Sequence, residues 1–277
     1  MNLAEGKKII LFRYHDRPES AREQIKILRH FNPTIPIYVL DGGYPPHFEK
    51  RRIIIEDVAD HVWLYESSQS TRWKWLHTYQ LVKDWFKEVG AQVDFDFLFS
   101  YEYDLLTVAP LLDIYPDISD NEVALGAVTA FTNEFEKKWW WGSPIAKRVF
   151  REFSYEKFQH YIEVNHGLAR QKYVCQGPGT LVPKRFLYDW SKEPDVNFVH
   201  EEILLPAYAE VFGYKIIDHG MHPGIFAPPE QDKYFNCRAV TDVSIDDIIS
   251  ELKTKGGRRA FHPVKNAIKI TDLSVGP

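Results

Sequence analysis

The sequence predicts an α/β fold, doubly wound in its first half, in a single domain. Three observations carry this. Short apolar runs rich in Ile, Val, Leu and aromatic residues recur along the chain; stretches with helical spacing separate them; and Gly, Pro and Asx residues punctuate the joins.

Residues 8–14, KIILFRY, read as a buried strand that stops at HDRPE. A helix is expected next. Asp16 is placed to cap it, Glu19 lies three residues on as in a capping box, Pro18 suits the first turn, and Ala21, Ile25 and Leu28 share a face. Asn32-Pro33 stops it. Residues 35–40, IPIYVL, form the second strand, with Asp41-Gly42-Gly43 as the turn, completing a β-α-β unit with a right-handed crossover. A third strand is expected at 61–65. Residues 71–88 read as one helix, with Trp73, Leu76, Gln80 and Lys83 at helical spacing and Gly90 beyond its end, and a hydrophobic strand follows at 95–101. Beyond Pro116 the pattern loosens into a strand at 122–128, an aromatic and basic stretch at 135–142, a strand near 173–182, a helix near 199–212 and a strand at 214–218. No repeat, low-complexity tract or Ser/Gly linker divides the chain, and the tail from Gly256 is polar.

The 277 residues are 44% hydrophobic, enough to fill one large core. The net charge is −5 with both signs interspersed, so no broad basic field exists to hold a nucleic-acid backbone. The local basic cluster of Lys253, Lys255, Arg258 and Arg259 reads as a solvated turn. The two cysteines, Cys175 and Cys237, offer neither a disulfide framework nor a zinc spacing, so two free thiols in a reducing compartment are expected. No run approaches the roughly 20 apolar residues of a membrane span, and the start lacks the features of a signal peptide. A cytoplasmic protein with at most peripheral membrane contact is expected.

The stretch FDFLFSYEYDLLTVAP then places Glu102 and Asp104 one residue apart at the end of a buried strand. Ligands of an open α/β sheet gather at the carboxyl ends of strands. Residues two apart in an extended segment point the same way, and adjacent carboxylates repel unless a cation or proton lies between them. A hard cation such as Mn²⁺ or Mg²⁺ suits such oxygens.

The order of strand, helix, strand ending in Asp-Gly, Trp/Lys-bearing helix and hydrophobic strand running into Glu102-x-Asp104 resembles the GT-A-fold glycosyltransferases, which carry an Asp-x-Asp motif at this point. Glu stands here where that family most often has Asp. The resemblance covers residues 8–218 and implies a GT-A-like (Rossmann-like) mixed central sheet with helices on both faces, with a nucleotide-sugar-binding half at 8–116, an acceptor-binding half at 117–255 and a tail at 256–277.

It further implies a nucleotide site at Arg13, His15, Asp16 and Asp41, with Arg72 and Lys74 at a helix start suited to phosphate, whereas Trp73 and Trp75 of the same turn read as packing residues. Capping already explains Asp16, and Asp41-Gly42 reads equally as a plain turn. QGPGT, with Gly177 and Gly179, reads as a tight turn or as the floor of a sugar site; it lacks the Gly-Lys-Ser/Thr of a Walker loop, which excludes triphosphate hydrolysis of that kind. Glu201 and Glu202 resemble the acidic pair from which inverting members draw their general base, and both also suit a helix N-terminus. A third metal ligand is implied among His219, His222 and His262, with Lys265 of HPVK set to meet a leaving diphosphate. The run of Lys137, Lys138 and Trp139 to Trp141 offers aromatic faces for an acceptor sugar or for packing.

The implied function is metal-dependent transfer of a sugar from a nucleoside diphosphate sugar to a carbohydrate or other hydroxyl-bearing acceptor. A nucleotidyltransferase is the rival enzyme, but HDRPES lacks the glycines of its first loop. A non-catalytic sugar or nucleotide-sugar binding protein is the rival outside enzymes.

Overall fold

KIILFRY forms strand β1 (Lys8–Tyr14), whose side chains alternate between two separate cores. Ile9 and Leu11 face one core; Ile10, Phe12 and Tyr14 face the other. Burial on both faces is why the central strands read as unbroken apolar runs. The computed structural model describes residues 1–139, 153–196, 199–237 and 242–273.

Helix α1 (Pro18–Phe31) leads to β2 (Ile37–Asp41), α2 (Phe48–Ile55) leads to β3 (His61–Leu64), and α3 (Thr71–Leu76) with α4 (Thr78–Glu88) leads to β4 (Phe97–Glu102). After β5 (Leu106–Thr107) and α5 (Leu111–Ile114) come β6 (Glu122–Ala130), α6 (Asn133–Lys138), α7 (Tyr155–His166), β7 (Tyr173–Pro183), α8 (Lys184–Ser191), α9 (Glu201–Val211) and β8 (Lys215–Asp218). Helices α10 (Pro229–Asp232) and α11 (Ile245–Lys253) and strand β9 (Ala260–Phe261) complete the named elements.

Among the described residues, seven strands form one sheet in the order β3-β2-β1-β4-β7-β6-β8. β1 to β4 run parallel, β7 is antiparallel to both β4 and β6, and β8 is parallel to β6. This is the mixed central sheet with helices on both faces that the resemblance implies. One core lies between the sheet and α4, α7, α8 and α9; the other lies under α1 and α2. A third cluster, with Leu106, Ile248, Phe261 and Val264, packs the C-terminal segment beside Ile27 of α1.

Four local expectations are corrected. Helix α1 begins after Arg17, which adopts a left-handed conformation (φ 52°) without a side-chain cap, so Asp16 is not the cap and stays 56% exposed. The single helix expected at 71–88 is two, broken at His77 (φ −117°, ψ 38°), where the Thr78 hydroxyl donates to the Trp75 carbonyl at 2.7 Å. QGPGT is no turn but the middle of the eleven-residue β7; Gly179 (φ +80°) supplies a conformation other residues resist, and the β6–β7 register shifts on either side of the Gly126–Gln176 pair. Trp75, expected to pack, is 48% exposed.

The end of β2 is fixed by a buried ion pair. Asp41 is fully buried and accepts from Arg51 Nε (2.8 Å) and a terminal nitrogen (2.9 Å), from the Tyr14 hydroxyl (2.7 Å) and from the Gly43 N–H (2.7 Å). Asp41, implied as a nucleotide ligand, is therefore committed to the interior. Removing one partner leaves the other charge buried alone, so Asp41→Ala is expected to cost about 3–5 kcal/mol. The double variant Asp41→Ala/Arg51→Met should lose less than Asp41→Ala in urea unfolding. A greater loss in the double variant would refute the pair's role.

Candidate functional site at the carboxyl end of β4

Strand β4 ends at Glu102, and the chain turns at once, with the Leu105 N–H donating to the Glu102 carbonyl at 3.0 Å. This turn, rather than an extended strand, brings Asp104 beside Glu102. β5 then pairs antiparallel with β9 in the register Leu106–Phe261 and Thr107–Ala260, and the contact continues as the Val264 N–H donates to the Asp104 carbonyl at 2.7 Å. That zipper delivers His262 to the carboxylates.

Glu102, Asp104 and His262 each present one ligand atom, all within 4.8 Å of one another, the one such group among the described residues. His262 Nε2 lies 3.5 Å from Asp104 Oδ1 and 4.0 Å from Glu102 Oε2. Its Nδ1 faces the Asn236 carbonyl, which only accepts, so Nδ1 carries a proton and Nε2 is turned to the carboxylates.

The other oxygen of Glu102 belongs to Arg13. The two residues are register partners on β1 and β4, and Arg13 donates to Glu102 Oε1 at 2.7 Å while reaching Glu201 Oε2 at 3.5 Å. Glu201 opens α9, whose N-cap is His200. A Cβ added at Gly177 would lie 2.6 Å from Glu201 Oε1 and at an ordinary 3.7 Å from Glu102 Oε1, so this glycine lets the Glu201 carboxylate approach β7 closely.

Burial, with the charges of Glu201 and Asp104, pushes the Glu102 carboxyl up to about 7 against the opposing pull of Arg13 and His262. Burial also works to raise Asp104, but the charge and hydrogen bond of His262 win and hold it low. His262 moves up in turn: burial opposes this, and Asp104 and Glu102 outweigh it. Two carboxylates and an imidazole are together a donor set that could hold a divalent cation.

The remaining expected residues are dispersed. His222 is a correction: its Nδ1 accepts the Gly224 N–H at 3.0 Å, its Nε2 faces Asp232 at 3.8 Å, and it lies outside the Glu102–Asp104–His262 group. His219 is held between the Met221 N–H and the Pro178 carbonyl. Glu202 turns toward His200, 4.0 Å away, rather than to Arg13. Lys74 is buried and donates to the Gly43 carbonyl at 3.1 Å, whereas Arg72 is exposed. His15 is partly exposed, 3.7 Å from Asp16 and edge-on to Tyr103. Lys265 is half-buried beside the cluster, its backbone held by Asp242 and Arg17. Gly179 packs against Met221 and Tyr115 instead of lining the site. Trp139 packs with Phe131 and Phe135, and Lys137 and Lys138 are exposed; Trp140, Trp141 and Gly142 lie outside the described residues. Sequence reasoning missed the bridging role of Arg13, although an arginine inside an apolar strand was the signal for it.

No protein-family description matches the chain, and no curated protein matches it. Among solved structures it is similar to the galactosyltransferase LgtC, solved with donor and acceptor sugar analogues, at 15% identity and a TM-score of 0.36 over 67% of this chain and 60% of that one. It is also similar to the apo form of the glycosyltransferase GlyE of Streptococcus pneumoniae TIGR4, at 14% identity and a TM-score of 0.37 over 76% of this chain and 45% of that one. The chain thus matches less than two thirds of the length of either protein. Both cysteines are free, and among the described residues no helix is long and apolar enough to cross a membrane.

Three buried histidines around the site, His77, His200 and His219, are each pushed down to about 4, chiefly by burial. Their folded values lie below the unfolded value near 6.5, so the unfolded chain binds more protons in that window. Stability is therefore full above the unfolded value and is lost as pH falls from about 6.5 toward 4, by roughly 2–3 kcal/mol per histidine. Glu102, raised to about 7, acts in the opposite sense and offsets about one of them. The urea midpoint should fall as pH drops below 6.5, and His219→Gln should make that fall shallower, while the contribution of His262, raised by Asp104 and Glu102, is lost on the alkaline side of 6.5. A midpoint that rises on acidification would exclude neutral burial of these rings.

Proposed function

We propose that the chain is a metal-dependent glycosyltransferase that moves a sugar from a nucleoside diphosphate sugar to a hydroxyl-bearing acceptor. One observation carries the reading: Glu102, Asp104 and His262 converge at the carboxyl end of a central strand, with a further carboxylate, Glu201, across Arg13. Glu102, Asp104 and His262 would hold Mn²⁺ or Mg²⁺, and a bound cation supplies Lewis-acid neutralisation of a departing diphosphate.

Glu201 is assigned as the general base of an inverting transfer. It takes the acceptor hydroxyl proton as that oxygen bonds the anomeric carbon and the bond from carbon to diphosphate breaks. Glu201 is preferred to Glu202 because its carboxylate lies beside Gly177 and within reach of Arg13, whereas Glu202 faces His200. On the donor side, Asp16 and Arg72 are exposed and His15 is partly so, and Lys265 stands beside the cluster for the diphosphate. Asp16 gains as a candidate because capping does not account for it. The donor is assigned to residues 8–116 and the acceptor to 117–255, and the protein is placed in the cytoplasm.

Thermal melting with a panel of nucleoside diphosphates and their sugars, with and without Mn²⁺, tests the reading. One nucleotide should stabilise the native chain only with metal, by about 2.7 kcal/mol at a hundredfold excess over Kd. Glu102→Ala/Asp104→Ala should abolish that response. Silence across the whole panel would overturn the assignment. Separately, Glu201→Gln should lower kcat by about 10²–10⁴-fold while leaving the Mn²⁺-dependent melting shift in place. Native turnover in that variant would remove Glu201 from the chemistry.

A further inference from the structure

Arg13 is 5% exposed and stands at the carboxyl end of β1, on the sheet face that carries Ile9 and Leu11. A guanidinium in such a place is stable only with partners, since taking a charge out of water costs several kcal/mol. Its partners come from two different elements: Glu102 from the neighbouring strand at 2.7 Å, and Glu201 from the start of α9 at 3.5 Å. The planar fork of arginine spans such a pair, which the single point charge of lysine does not.

The division of oxygens matters more than the charge. Arg13 takes Oε1 of Glu102, and the remaining Oε2 is the oxygen nearer His262. On the other side it takes Oε2 of Glu201, and the remaining Oε1 is the oxygen packed at Gly177. Each carboxylate is thus rotated by the same guanidinium. Among the described residues the Nε of Arg13 has no hydrogen-bond partner, and Arg13 lines a cavity of about 20 Å³ with Ser100, Thr180, Tyr79 and Glu201. Among the described residues the side chain is held by the two carboxylates, with no bond to a backbone carbonyl.

We infer that Arg13 is a positioning residue, and not a nucleotide ligand, that sets Glu102 and Glu201 in one constellation by holding one oxygen of each. The inference deepens the transferase reading and rests on it for its kinetic consequences. The arginine orients the cation-binding carboxylate and the base together, so the two halves of the site share one geometric reference.

The full-length chain is compared with Arg13→Lys, Arg13→Met and the neutral triple variant Arg13→Met/Glu102→Gln/Glu201→Gln, using melting, titration with Mn²⁺ alone, and donor turnover. Arg13→Lys keeps the charge beside Glu102 but not the fork. Its Mn²⁺ affinity should stay within about threefold of native while kcat falls by about thirtyfold or more and KM changes little. Arg13→Met removes both the fork and the charge and should lower kcat at least as far, and native kcat in this variant would overturn the inference. So would native kcat in Arg13→Lys, which would make charge alone sufficient.

A native chain that ignores Mn²⁺ would overturn the metal reading without deciding the role of Arg13. The melting series decides it independently. Arg13→Met leaves two carboxylates without their shared cation and should melt well below native, and the triple variant, with all three charges gone, should recover most of the loss. Absence of that recovery would overturn the inference whatever the activity.

Discussion

Strand β4 has a parallel neighbour, β1, on one side and an antiparallel neighbour, β7, on the other, and the site depends on that change of direction. On the parallel side the register places Arg13 against Glu102. On the antiparallel side Ser100 pairs with Thr180, so the preceding Gly177 comes level with the end of β4. A wholly parallel sheet would put a strand end and a crossover there. Here it puts the middle of a long strand, whose glycine lets the carboxylate of Glu201 close on the backbone beside Glu102.

The central strands were legible because burial on both faces leaves a run of apolar residues that no loop would tolerate. KIILFRY is β1 to the residue, and the strand ending at Glu102 was placed within two residues at its start and one at its end. Errors arose where local chemistry competes with tertiary contact. Gly-Pro-Gly has the composition of a turn, yet β7 runs through it because neighbouring side chains, not solvent, occupy the space above the glycines. Asp16 has the composition of a cap, yet the cap position falls to Arg17, whose guanidinium reaches the Lys265 carbonyl at 3.2 Å.

The site was half legible for the same reason. Glu102 and Asp104 are local, and a strand ending in two acids marks itself. His262 is distant, and it was one of three candidate histidines because β5 and β9, two residues each, are too short to show as a pattern. What separates His262 from His222 is the partner of each ring, the Asn236 carbonyl and Asp104 for one, Gly224 and Asp232 for the other. Partners of that kind exist only once the chain has folded.

The resulting site is electrostatically unrelieved. Glu102, Asp104 and Glu201 bring three carboxylates into one shielded region, and Arg13 and His262 supply the opposing charge. Glu102 shows the imbalance most, since burial and its acidic neighbours push it up to about 7 even with Arg13 at 2.7 Å. A fully compensated cluster would be more stable and would have less reason to take a cation. Because β4, the β5–β9 zipper and α9 each deliver part of the cluster, the unfolded chain has no equivalent of it, and whatever binds there binds the fold. The strain of gathering like charges is thus tied to the same packing that creates the site, as functional sites elsewhere are held by their surroundings.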